Sequence, residues 1–310
     1  MGQSIIELEI IIINDGSTDT TRSVAQSYAR HDDRVIYIEQ RNLGLSAARN
    51  AGIRRSCGKY IQFLDADDLL EFDKLSFHSR YLDGQPDADI VYGQARYFDS
   101  DELDQRRFNR RDNDSDEPWM PKCSGSGRTI LSHLVHANIM PVNCPLVRAS
   151  VFGDVGLFDE TLRAVEDWDL WIRCAAFGKQ FYYLDQPGTL ALVRVHPTSM
   201  SADPRRLEEA TFTLRLRAGK YLRWADLRIR NWHEGVALIK KLDLQPRNLS
   251  LWSLARANRT PSTLVRALLE IVDRNGIIRQ TGHRTIGRAS SIANRLLSSW
   301  AVVTLADLLP

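Results

Sequence analysis

Two apolar runs near the N-terminus end on carboxylates. Leu8–Ile13 is an almost unbroken β-branched stretch that closes on Asn14-Asp15-Gly16, and Lys59–Leu64 closes on Asp65-Ala66-Asp67-Asp68. A short, continuous apolar run bounded by turn residues is how a buried parallel strand reads. Helical stretches lie between such runs. Residues 18–30 read as one helix, Arg34–Glu39 as a second strand and Leu45–Ser56 as a helix ended by Gly58. Asp73–Leu82 reads as a helix and Asp89–Phe98 as a strand. This alternation predicts an α/β fold, a mixed but mainly parallel sheet flanked by helices. In such sheets the ligand site lies outside the carboxyl ends of the strands, where these acids fall.

Asp15, Asp65, Asp67 and Asp68 gathered at strand ends would repel one another unless a positive charge sits among them. A hard divalent cation sharing carboxylate and phosphate oxygens answers that need, and it stabilises a diphosphate as a leaving group. The plainer reading is turn and cap chemistry. It suffices for Ser17, Thr18 and Asp19 ahead of the next helix, and Asp68 or Asp73 could cap the helix that follows them. It does not account for Asp15, Asp65 and Asp67 together at two strand ends.

Residues 99–128 are rich in Asp, Arg, Asn, Ser and Gly and read as a long mobile loop or insertion. Beyond them a helix is expected near 129–138 and a strand near 142–148. A helix follows from Glu166 to Phe177, then strands near 181–184 and 190–195. From Leu207 apolar residues recur at helical spacing through Ile229. A boundary near 203–206 divides a catalytic domain, 1–204, from a mainly helical C-terminal extension, 205–310. The near-neutral total charge hides an asymmetry between the two. Residues 205–310 carry 19 Lys+Arg against 8 Asp+Glu, and residues 1–204 carry 22 against 31. The basic extension is either a set of solvated Arg-rich helices or a surface for an anionic partner such as a membrane. Cys57, Cys123, Cys144 and Cys174 form no C-x-x-C pair, which argues against a zinc or dithiol redox site and for free thiols. No apolar run reaches the ~20 residues of a membrane helix.

Five segments resemble the family 2 glycosyltransferases. They are Asn14-Asp15-Gly16-Ser17-Thr18-Asp19, Asn42 through Ala48-Arg49-Asn50, and Tyr60 through Asp65-Ala66-Asp67-Asp68. The fourth is Gly156-Leu157-Phe158-Asp159-Glu160 with Glu166-Asp167-Trp168-Asp169-Leu170-Trp171, and the fifth is Arg194-Val195-His196-Pro197-Thr198-Ser199-Met200-Ser201. They fall in the family's order and spacing across residues 8–201, and the tail beyond is not covered.

The resemblance implies a nucleotide-diphospho-sugar transferase fold of the GT-A-like kind. It also implies a nucleotide-sugar donor, with a UDP-sugar favoured, a Mn²⁺ or Mg²⁺ ion and inversion at the anomeric carbon. It casts Asp15 toward the nucleotide base, Asp65 toward the ribose, and Arg49 and Glu166 as further nucleotide-sugar contacts. Asp67 and His196 would face the metal. Asp167 would be the base that takes the proton of the acceptor hydroxyl. For Asp167, a helix N-terminus and burial beside Trp168 or Trp171 push basicity in opposite directions. The acceptor would be a saccharide or a lipid-linked sugar, as in cell-surface polysaccharide or glycolipid synthesis, and nucleic acid is not expected as a partner. The location implied is cytoplasmic, at the inner face of the membrane if the basic helices touch it peripherally. A non-catalytic sugar-nucleotide-binding or assembly protein is the alternative. The family's first strand and helix have no counterpart before Met1-Gly2-Gln3-Ser4, so the chain is expected to be an N-terminally truncated version of the fold.

Overall fold

The computed structural model describes residues 2–5, 7–99, 104–108, 117–134 and 137–196, with Leu207, Ala210, Thr211 and Leu214. The chain divides into two compact units, the first being Met1–Leu214 with Lys220–Leu222. All described residues belong to it.

The fold is mixed α/β. Strand β1 (Ile10–Asp15) leads into helix α1 (Thr21–His31), strand β2 (Val35–Gln40) and helix α2 (Leu45–Arg55). β1 and β2 pair in parallel from Ile10↔Val35 to Asp15↔Gln40, so Asp15 comes out at the carboxyl end. Helix α2 lies over β1, with Gly52 about a side-chain contact from Ile13. Among the described residues β1 pairs with β2 alone, and Ile10–Ile13 are only half-buried along it.

Strand β3 (Tyr60–Gln62) stops short of the expected strand end, because Phe63 turns inward and stacks edge-on against Phe152 and Phe158. After the acidic turn come β4 (Leu69–Leu70) and α3 (Lys74–Gly84), whose buried stripe is Lys74, His78 and Leu82 at four-residue spacing. The expected strand over 89–98 is two strands, β5 (Ile90–Tyr92) and β6 (Ala95–Asp99), separated by Gly93-Gln94. There the chain leaves one sheet for another: β5 joins the order β3-β7-β5-β8, and β6 joins β4-β9-β6.

The remaining elements are α4 (Gly127–Leu134), β7 (Pro145–Arg148), α5 (Ser150–Val155), α6 (Glu166–Ala176), β8 (Phe181–Tyr183) and β9 (Ala191–Val195). β5 with β8 and β6 with β9 are parallel, whereas β7 runs antiparallel to β3 and β5, and β4 antiparallel to β9. Helix α6 is buried on nearly every face, through Trp168, Leu170, Trp171, Ile172, Cys174 and Ala175, as a helix between layers must be.

The segment expected to be a mobile loop is partly built into the core. Tyr97 and Arg107 exchange backbone hydrogen bonds, Met120 is buried, and the Tyr92 hydroxyl donates to the carbonyls of Pro121 and Cys123. Its other residues, 100–103 and 109–116, lie outside the described ones, as does nearly all of the expected extension 205–310. The described residues at its start are helical, and Leu214 is fully buried. All four cysteines are free. Among the described residues no helix is long and apolar enough to cross a membrane.

Candidate functional site

Arg49 is the centre of the site. It projects from α2 and is 8 % exposed, with one guanidinium nitrogen 2.7 Å from Asp65 Oδ1 and another 2.5 Å from Glu166 Oε1. Its guanidinium also lies over the Phe158 ring, 5.5 Å from the centroid. A planar, forked cation holds two carboxylates at fixed angles in this way. Next to it Asn50 donates to the Phe158 carbonyl and to Glu160 Oε1, and accepts from the Phe158 N–H. The Ala48-Arg49-Asn50 motif is therefore a clasp that joins the acidic turn after β3 to the segment leading into α6.

Glu166 and Asp167 open α6. The residue before them, Val165, has φ of 56°, the only non-glycine positive φ among the described residues. Asp167 accepts from Asn138 Nδ2 at 2.9 Å through one oxygen and from the Trp168 N–H at 2.7 Å through the other. Burial pushes its carboxyl up to about 7, and the neighbouring Glu166 charge adds to the rise against the pull of Arg49. Burial outweighs Arg49, the Trp168 N–H and Asn138, which all pull the carboxyl the other way. Trp168 and Trp171 are core residues: both are buried, and the Trp168 indole donates to the Leu134 carbonyl.

Asp67 and His196 meet on the other side of the turn, with His196 Nε2 2.8 Å from Asp67 Oδ2. They are the more open pair, 47 % and 29 % exposed. Asp65 and Asp68 are committed elsewhere. Asp68 accepts from the Arg194 N–H and from Asn143, and burial, with the charges of Asp67 and Asp65, raises its carboxyl to about 6. Asp68 is thus a tie to β9 rather than a helix cap. Among the described residues no group of three potential ligands converges. A carboxylate beside an imidazole still fits a hard cation of the kind that keeps most of its shell for phosphate and water.

Asp15 is engaged by protein. Its oxygens accept from Gln40 Nε2 at 2.6 Å, the Leu43 N–H at 2.9 Å and the Gly44 N–H at 2.8 Å. It binds the Asn42–Gly44 loop to the end of β1, and that loop comes so close that a Cβ on Gly16 would lie 2.8 Å from the Asn42 nitrogen. Asn14, fully buried, holds the same turn through the Ser17 N–H and the Tyr37 hydroxyl. Asp19 accepts from the Thr21 N–H at the start of α1, the local role expected of it.

The structure thus joins Arg49, Asp65 and Glu166 directly, with Asp167 next in the chain, and pairs Asp67 with His196. Sequence reasoning missed Asn138 and Asn143. Both are single polar residues in otherwise unremarkable segments, and no local pattern marks them.

With this geometry in view, known proteins give a consistent comparison. Residues 2–149 match the family described as glycosyl transferase family 2. That stretch, just under half of the chain, is the part similar to the family 2 glycosyltransferases, and it holds Asp15, Arg49, Asp65 and Asp67. An uncharacterized glycosyltransferase of Rickettsia prowazekii is 30 % identical over 175 residues, which are 56 % of this chain and 51 % of that protein. Among solved structures, S. aureus TarS 1–349 in complex with UDP superposes with a TM-score of 0.59 at 16 % identity, covering 86 % of this chain and 76 % of that one. The mannosyltransferase PcManGT from Pyrobaculum calidifontis, in complex with GDP-Man and Mn²⁺, gives 0.51 at 16 % identity, covering 99 % and 81 %. These likenesses establish the GT-A-type fold. The chain spans about half the length, or less, of the first curated relatives it matches.

Proposed function

We propose that this chain transfers a sugar from a nucleoside-diphosphate sugar, with a uridine nucleotide favoured, to a hydroxyl of a saccharide or lipid-linked acceptor, with inversion. The observation that carries the reading is the double ion pair of Arg49, which draws the Asp65 turn and the Glu166-Asp167 helix start into one site.

In this reading Asp65 faces the ribose, and Arg49 and Glu166 line the nucleotide-sugar. Asp15 meets the base at the edge of the loop it holds. Asp67 and His196 hold Mn²⁺ or Mg²⁺, which when bound neutralises charge on the diphosphate leaving group. Asp167 accepts the proton of the acceptor hydroxyl as that oxygen bonds to the anomeric carbon and the carbon–phosphate oxygen bond breaks. A carboxyl raised toward neutrality is better matched to that task than an ordinary one. Asn138 holds Asp167 in place. The product in this reading is a cell-surface polysaccharide or glycolipid made in the cytoplasm, as the motif resemblance implies. A peripheral membrane contact through residues 205–310 rests on their charge alone.

Calorimetric titration of UDP into the full chain, with and without Mn²⁺, tests this. Binding that requires Mn²⁺ and is lost in Asp67→Ala is expected. Binding indifferent to both the ion and Asp67 would remove the assignment of the donor site.

A further inference from the structure

Beneath the acidic turn runs a chain of buried polar side chains that the proposed chemistry does not use. Asn143 is 1 % exposed, and its side chain spans the turn. Its Oδ1 accepts from the Asp65 N–H at 3.0 Å, and its Nδ2 donates to Asp68 Oδ2. The other oxygen of Asp68 accepts from the Arg194 N–H at 2.7 Å, two residues before His196. Only one orientation of a side-chain amide serves an N–H and a carboxylate at once, and asparagine alone offers one acceptor and one donor at this length.

The amide is braced from below. The Asn143 carbonyl accepts from Gln62 Nε2 at 2.8 Å, and Gln62 Oε1 accepts from Lys74 Nζ at 3.1 Å. Lys74 is completely buried on α3. Three polar partners lie within reach of its nitrogen: Gln62 Oε1, the Cys144 carbonyl at 2.6 Å and His78 Nδ1 at 3.1 Å. A buried lysine with only neutral partners is a costly way to fill a core. Here it fixes both the residue before Phe63 and the residue after Asn143.

We infer that Asn143 is a positioning residue that sets the geometry of the Asp65–Asp68 turn, with Lys74 bracing it through Gln62. The inference rests on the donor-site reading only for its functional consequence; the positioning itself is open to direct measurement.

Residue-resolved amide exchange on the full chain makes that measurement. In Asn143→Ala the Asp65 and Arg194 amides should exchange about tenfold faster, the effect of losing a buried hydrogen bond of ordinary strength. The Ile90 amide, bonded to the Gln180 carbonyl in the sheet, should keep its rate. Asn143→Ser keeps a small polar side chain that is too short to span the turn, so the Asp65 and Arg194 amides should both speed up while Ile90 does not. Lys74→Met should speed up Asp65 through the loosened brace. UDP affinity in the presence of Mn²⁺ should fall about tenfold in Asn143→Ala. Wild-type rates at Asp65 and Arg194 in Asn143→Ala, or an equal rise at Ile90, would overturn the inference, as would unchanged UDP affinity. If Asn143→Ala does not fold, Asn143→Ser decides the matter: wild-type rates at both Asp65 and Arg194 would overturn the inference. If the wild-type chain binds no UDP while the exchange pattern holds, the positioning stands and the donor-site reading falls.

Discussion

Val165 offers a sharp test of how the site is built. It stands at φ 56° and ψ 23°, immediately before Glu166. A β-branched residue in the left-handed region carries about 1–3 kcal/mol of strain. The surroundings enforce it: the Asp169 N–H bonds to the Val165 carbonyl at 3.0 Å, and Glu166 is drawn onto Arg49 at 2.5 Å. Asparagine adopts this conformation readily, so Val165→Asn should recover the strain less the ~0.5 kcal/mol lost with two half-buried methyl groups. A net gain of about 1 kcal/mol corresponds to a melting point roughly 2–4 °C higher for a unit of this size. Glycine relieves the same strain but returns about 0.5–1 kcal/mol to the unfolded chain, so Val165→Gly should melt between wild type and Val165→Asn. Thermal unfolding of the three proteins, followed by circular dichroism, gives the order. UDP affinity in the presence of Mn²⁺ should not change in Val165→Asn, because Glu166 and Asp167 remain aimed as before. An asparagine variant melting at or below wild type would refute the claim that the turn into α6 is held under strain.

Arg49→Met should destabilise the fold by about 3–5 kcal/mol in urea unfolding, since it strands Glu166 as an unpaired charge that is 8 % exposed. The Asp65 half adds little to that loss because Asp65 is 35 % exposed and water can solvate it. Asp167→Asn should leave UDP affinity intact and abolish turnover of the sugar nucleotide. In the wild type, turnover should climb with pH and level off above about 7, where the raised carboxyl is ionised and able to accept a proton; a rate already flat at pH 5 would exclude Asp167 as the base. Burial lowers Lys74 to about 7, so between that pH and its unfolded value the unfolded chain binds the extra proton. The Lys74 contribution to stability should therefore rise with pH over this window by about 1.4 kcal/mol per unit. Lys74→Met should lack that slope, which melting curves at pH 7, 8 and 9 would show.

Much of the site was legible because its chemistry is local. Asp15, Asp65 and Asp67 stand at the ends of apolar runs, and strand ends are where an α/β sheet presents its ligand site. The start of α6 was legible for the same reason, with Glu166, Asp167 and Asp169 in one helical turn. What stayed hidden depends on contacts distant in sequence. Nothing near Asn143 announces that Asp65 and Asp68 lie across from it, and Lys74 on a helix reads as a surface residue until its three polar partners are seen. The split of 89–98 into two strands turns on Gly93, where an added Cβ would lie 3.1 Å from Thr189 Oγ1. The antiparallel partners escaped for another reason: β4 is two residues long, and the pattern of β7 does not reveal its direction.

Among the described residues, the side of β1 away from β2 takes no partner strand. Ile10–Ile13 present half-buried side chains and, among the described residues, one row of unbonded peptide groups. The strand carries no lysine and no proline, the residues that commonly make such a margin unwelcoming to other chains. An isoleucine margin of this kind is adhesive toward any extended segment that reaches it, including the same strand of a neighbouring molecule.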